Sequence, residues 1–112
     1  MHYNLDKVNE LSGGDEEFTI SIISVFLEET PQDILDLKEA IEKEDFQAIY
    51  KSAHKIKPNA DIMGMEGARA KLLEIENQGK QDKDIEVIKS LFPSVEASIN
   101  SAITELKNDF GL

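Results

Sequence analysis

The chain contains no cysteine and no tryptophan among its 112 residues, only two histidines and three prolines, and aromatic residues make up 6% of it. Without cysteine there can be no disulfide, no thiolate metal site and no cysteine nucleophile. With so few aromatics, the core must be filled by Leu, Ile, Val and Ala. Cations are also scarce. Twelve Lys and Arg stand against 23 Asp and Glu, a formal net charge of −11. That balance argues against nucleic acid and anionic membrane surfaces as partners, because their phosphates would be repelled. No apolar run approaches membrane-spanning length, and the opening MHYNLDKVNE lacks the basic start and apolar centre of a signal peptide. Strand signals are missing too: there is no sustained period-two alternation and no Asn-Gly hairpin turn. No internal repeat or low-complexity segment is present.

What remains is the composition of a soluble globular protein, 40% hydrophobic and 31% charged. The length suits one domain, 1–112, with a core that needs no staples. A cytoplasmic monomer is expected. The acids are concentrated: residues 15–45 carry eleven acids and two lysines, which reads as solvated helix faces that keep the chain soluble.

The apolar residues are spaced for helices. Met1 to Leu11 is expected to form a short lead-in helix with Leu5, Val8 and Leu11 on its apolar side, ended by Ser12-Gly13-Gly14. Asp15 is placed to cap a helix whose stripe holds Phe18, Ile22, Val25 and Phe26, widened by Ile20, Ile23 and Leu27. Thr30-Pro31 predicts a boundary, with Pro in the first position of a helix carrying Ile34, Leu37 and Ile41, with Leu35 and Ala40 beside them. Lys43-Glu44-Asp45 ends that segment and caps the next. Gly64 is expected to close the central helix, and Gly79 the one after it, which carries Met65, Ala68, Leu72 and Ile75. The last helix should begin near Asp82 or Asp84. Its three-four repeat (Ile85, Ile88, Phe92, Val95, Ile99, Ala102, Leu106) keeps phase across Pro93, which predicts a kinked helix or two stacked pieces sharing a face. The expected fold is all-α: an antiparallel four-helix bundle with an additional short N-terminal helix.

The stretch FQAIYKSAHKIKPNADIMGM, residues 46–65, carries the chemistry. Phe46, Ile49, Ala53, Ile56, Ala60 and Met63 form its core-facing seam. His54 lies one residue past a seam position and should turn towards the flank and solvent. Lys51 and Lys57 lie three residues either side of it, Lys55 adds a third cation, and no acid occurs from Lys51 to Ala60. His2, at the terminus, is expected to be frayed and without a partner.

Several chemistries fall away on the residues present. A metal would need several converging ligands, and three lysines around the imidazole oppose any cation. No serine has a recognisable base arrangement, and no Gly-rich nucleotide loop occurs. No carboxylate is marked by an apolar setting that would raise its pKa. An enzyme with its own pocket is therefore disfavoured. A solvent-facing imidazole can still act as a nucleophile that accepts a group and passes it on. Neutral imidazole, with an unperturbed pKa of about 6.5, attacks phosphorus well near pH 7. Nearby ammonium groups would meet the added charge, each exposed contact contributing at most about 1 kcal/mol.

The sequence resembles the histidine-containing phosphotransfer (HPt) domains of phosphorelays. Their signature looks like A-H-x-x-K-G, a Gly ten residues after the His, and an apolar-Glu pair at the end of the next helix. Here these are Ala53-His54, Lys57, Gly64 and Ile75-Glu76. Gly14-Asp15, Phe26-Leu27, Pro31, Leu37, Ala40 and Asp45 also resemble the family's run into its active helix, so the match covers about residues 11–78. The resemblance implies a helical bundle with an exposed phosphorylatable histidine, here His54, with Lys57 and Gly64 at motif positions; Lys57 is taken as its electrostatic partner, Lys51 and Lys55 support it through the local charge, and Pro58 and Gly64 are further supporting positions. It implies a carrier rather than an autonomous enzyme, taking a phosphoryl group from a receiver-domain aspartate and giving it to another receiver. It implies response-regulator receiver domains and a hybrid sensor histidine kinase as partners. No cofactor or metal is expected on this chain; magnesium, where required, is held by the receiver. Receiver docking should use the exposed flank around His54, with apolar residues of the preceding helix at its edge.

One departure matters. The family's Gly after the Lys is Pro58 here. Proline removes the amide that would bond the His54 carbonyl and crowds that carbonyl with its ring, a cost of about 3 kcal/mol in a helix interior. A bend beside His54 is expected. Two readings follow: a variant that reshapes the docking surface, or a degenerate site in a domain that only binds. The rival functions are accordingly a non-phosphorylated helical adaptor for receiver or kinase domains and, more remotely, a small catalytic bundle.

Overall fold

The computed structural model describes residues 2–81 and 84–112. Its helices run in the order α1 (Asp6–Ser12), α2 (Glu16–Glu42), α3 (Phe46–Ile62), α4 (Glu66–Lys80) and α5 (Ile85–Phe110), and no strand occurs among the described residues. At 1.5 Å per residue the 27-residue α2 and 26-residue α5 are each about 40 Å long, which accounts for the 43 Å longest dimension. Short connections make successive helices antiparallel. α2 packs on α3, α3 on α4, α4 on α5 and α5 back on α2, closing a four-helix bundle, while α1 lies against α2.

The helix starts follow from their caps. Asp15 accepts from the Phe18 amide at 3.3 Å, and Asp45 from the Ala48 amide at 3.1 Å. Asp84 accepts from the amides of Glu86 and Val87. Asp84 is thus the cap of α5, and the other candidate, Asp82, lies outside the described residues. α2 leaves through Glu44 at φ 52°, with the Asp45 amide donating back to the Ala40 carbonyl at 3.0 Å.

Thr30-Pro31 does not divide two helices. α2 runs through it unbroken, and Pro31 lies inside. The proline removes one backbone bond, and the buried side chains either side of it, Phe26, Thr30, Asp33, Ile34 and Leu37, keep both halves seated on their neighbours. Pro93 is likewise inside one continuous α5. Gly79 is not a helix end either. It sits buried within α4, where a Cβ would lie 3.0 Å from the Tyr50 amide nitrogen and 3.1 Å from the Phe46 carbonyl oxygen. The α3 and α4 backbones touch there, and only glycine fits without displacement.

The core holds the seams of α3, α4 and α5 as expected, including Ile49, Ala53, Ile56, Leu72, Ile75, Ile99 and Leu106. α2 differs. Phe18 and Val25, expected in its stripe, are 46% and 49% exposed, and Leu35 and Leu11 are exposed as well.

The N-terminal residues close the end of the bundle where α3 turns into α4. The Asn4 amide donates to the Met63 carbonyl at 2.8 Å, and Gly64, at φ +68°, packs so tightly that a Cβ would come within 2.6 Å of Asn4. His2 is anchored rather than frayed: its amide donates to Glu105 at 2.7 Å, and its ring Nδ1 meets the same carboxylate. These bonds, the backbone one first, hold the Glu105 carboxyl below the usual carboxylate range. The Tyr3 hydroxyl donates to Asp109, completing the tie to α5.

Candidate functional site

His54 stands on the outer face of α3, one position past the buried Ala53, with its side chain 62% exposed. Three contacts define its setting. Its Nδ1 meets Glu76 Oε2 at 2.5 Å. Lys57, one turn along α3, donates to the other oxygen of the same carboxylate, Oε1, at 2.6 Å. The Tyr50 ring, one turn before, is stacked on the imidazole with ring centroids 5.8 Å apart and planes 25° from parallel.

Glu76 is the residue whose role the sequence does not show. It was visible only as half of the Ile75-Glu76 pair, with no role attached. In the fold its side chain is 7% exposed, set in α4 between the buried Ile75 and Gly79. The contact of α4 with α3 at Gly79, one turn away, brings α4 close enough for a glutamate to span to His54. Burial is the largest single influence on its carboxyl and pushes it up. The hydrogen bonds and charges of Lys57 and His54 together outweigh that and hold it below the usual range. Glu76 is therefore ionised near neutral pH. An ionised carboxylate can only accept, so Nδ1 carries a proton, and in the neutral ring the lone pair is therefore on Nε2. Nε2 has no hydrogen-bond partner among the described residues.

The three lysines around His54 are not equivalent. Lys57 is 26% exposed and committed to Glu76. An ammonium has three donors, so it can hold Glu76 and still offer a hydrogen bond to a group on His54. Lys55 points elsewhere: it donates to Asp33 on α2 at 2.8 Å, a buried carboxylate, and that bond is the first cause of its raised pKa. Its place is in tying α3 to α2. Lys51 is exposed and lines the groove between α2 and α3 with Asp36 and Glu39. Gly64 lies at the far end of α3, against Asn4, and serves the fold.

Pro58 is exposed one turn beyond His54, and α3 continues through it to Ile62. Its ring lines a depression with Leu11 and Ile62. Beside it runs an apolar groove of about 300 Å³ lined by Phe18, Ile22, Val25, Asn59 and Ile62. Phe18 and Val25, which α2 leaves exposed, thus lie beside the part of α3 that follows His54. Among the described residues, no group of three His, Asp or Glu is arranged to hold a metal ion, and no helix is long and apolar enough to cross a membrane.

Comparison with curated proteins finds no sequence match. Among solved structures, the chain resembles histidine-containing phosphotransfer protein B (HptB) from Pseudomonas aeruginosa PAO1. The TM-score is 0.80 at 18% sequence identity, covering 96% of this chain and 93% of that one. That likeness bears on the fold: an all-helical bundle entered through a short helix. The Hpt domain family model matches residues 21–109, which takes in α3 with His54 and Lys57 and α4 with Glu76. A match across most of the chain, over a fold of the same kind, means that this protein belongs to the Hpt domain family and has its histidine phosphotransfer role in two-component signalling.

Proposed function

We propose that His54 is the phosphoryl acceptor and donor of a relay intermediate. It takes the group from an aspartyl phosphate of one receiver domain and passes it to the aspartate of another. The observation that carries this is the state of the imidazole: a ring on an exposed helix face, with Nδ1 tied to an ionised carboxylate and Nε2 unengaged. Lys57 then supplies an ammonium to the phosphorylated form. The apolar groove along Phe18, Ile22, Val25 and Ile62, together with Pro58, is the surface on which a receiver docks. The chain acts as a cytoplasmic monomer and a carrier, not an autonomous enzyme. A hybrid sensor histidine kinase stands upstream, and the magnesium is bound by the receivers.

The test is phosphorylation of the intact chain by a phosphorylated receiver. The expected label is acid-labile, alkali-stable and absent from His54→Gln. Label that persists in that variant refutes the assignment. A His54→Gln chain that still supports pathway output points instead to the adaptor role, with the bundle acting by docking alone.

A further inference from the structure

We infer that Tyr50 is a positioning residue for His54, its stacked ring setting the attitude of the imidazole so that Nε2 meets the incoming phosphorus in line. The inference rests on His54 being the acceptor. It starts from a geometric shortfall. One hydrogen bond at Nδ1 fixes a point on the ring but leaves the ring free to swing about the Nδ1···Oε2 direction. An aromatic face at 5.8 Å, 25° from parallel, restricts that freedom. Tyr50 can do so because it is itself held. It is half-buried on α3, and its amide nitrogen lies at the backbone contact that Gly79 permits. Glu76 at one edge and Tyr50 at one face thus orient the imidazole from two directions, Tyr50 from the preceding turn of α3 and Glu76 from across the α3–α4 contact.

The chemistry gives the stack a second use. The Nε2 lone pair forms the N–P bond as the P–O bond to the donor aspartate breaks, and the carboxylate leaves with that electron pair. The proton already on Nδ1 stays there, so the phosphorylated ring is an imidazolium. Glu76 accepts from its N–H, and the electron-rich face of Tyr50 lies against the new positive charge. Preorganisation and charge stabilisation act in the same direction, on the chemical step rather than on docking.

The experiment is single-turnover phosphorylation of the full chain by a phosphorylated receiver, comparing wild type, Tyr50→Phe and Tyr50→Leu. Tyr50→Leu is expected to lower the maximal rate about three- to tenfold with the half-saturating donor concentration within about twofold, and Tyr50→Phe to restore the rate. A Tyr50→Leu chain as fast as wild type, a Tyr50→Phe chain as slow as Tyr50→Leu, or a loss confined to half-saturation overturns the inference. Independently of any variant, the His54 ring protons of the unphosphorylated wild type should show an upfield ring-current shift by NMR, and its absence also overturns it. If instead the label is found away from His54 while that shift is present, the stack stands and the assignment of the acceptor fails.

Discussion

Replacing Glu76 by Gln should weaken the fold and loosen the imidazole together, and the pH dependence identifies the cause. The carboxylate is 7% exposed and makes two charge-assisted bonds, at 2.5 Å to His54 and 2.6 Å to Lys57. Charge-assisted bonds of this kind contribute about 1.5–3 kcal/mol each when well buried. Here both donors reach solvent, and the glutamine oxygen can still accept one of them, so the expected loss at neutral pH is about 1–2 kcal/mol. For a domain of this length that is a fall of roughly 4–8 °C in Tm. Glu76 titrates lower in the folded chain than in the unfolded one. Its contribution is therefore whole above the unfolded carboxylate value of about 4.3 and is lost as pH falls through the lower folded value. Urea denaturation of both chains, stepped from about pH 7 down to the lowest pH at which each still folds, should show a gap that narrows below about pH 4. A gap absent at neutral pH, or one that does not narrow in acid, would show that Glu76 is not held as an ionised pair partner. In the same variant the neutral His54 ring should lose its bias towards the Nδ1–H tautomer, which nitrogen-15 shifts read directly.

Two further outcomes follow. Lys57→Ala should slow phosphorylation of His54 about three- to tenfold, the equivalent of one partly exposed ammonium contact, and shorten the life of the label; rates equal to wild type would remove Lys57 from the site. Pro58→Gly restores the amide that can bond the His54 carbonyl, and glycine costs about 2 kcal/mol less than proline inside a helix, so chemical denaturation should show a gain of about 1–2 kcal/mol; a loss would mean that Pro58 makes contacts worth more than the missing bond.

The bundle was legible because most of its helices carry one unambiguous apolar seam. In α3, α4 and α5 the seam residues are the buried ones, except Phe46 and Ile85 at the helix starts, which are partly buried. α2 was harder for a physical reason. Its apolar stripe is broad, and periodicity cannot say which edge of a broad stripe finds a neighbour; Ile23 and Phe26 did, Phe18 and Val25 did not. Thr30-Pro31 satisfied every local rule for a helix start and was overruled by packing on either side of it. At the site, His54 and Lys57 could be read from spacing along one helix. Glu76 and Asp33 could not, since their pairing with His54, Lys57 and Lys55 depends on how α3 lies against α4 and α2. A lysine three residues from a histidine and one adjacent to it look equally available in a sequence. Only Lys57 shares a carboxylate with the imidazole; Lys55 is turned to the other side of its helix. The anchoring of His2 is hidden in the sequence for the same reason, its partner lying 103 residues away.

Both oxygens of Glu76 are occupied, one by the imidazole and one by Lys57. A carboxylate beside a phosphorylated histidine could otherwise recruit water and discharge the group as inorganic phosphate. Held below the usual carboxylate range by these two donors, this one is a weaker base towards water while it steers the ring. If His54 carries the phosphoryl group as proposed, Glu76 then adds little to its hydrolysis, and unloading is left to the receiver that arrives.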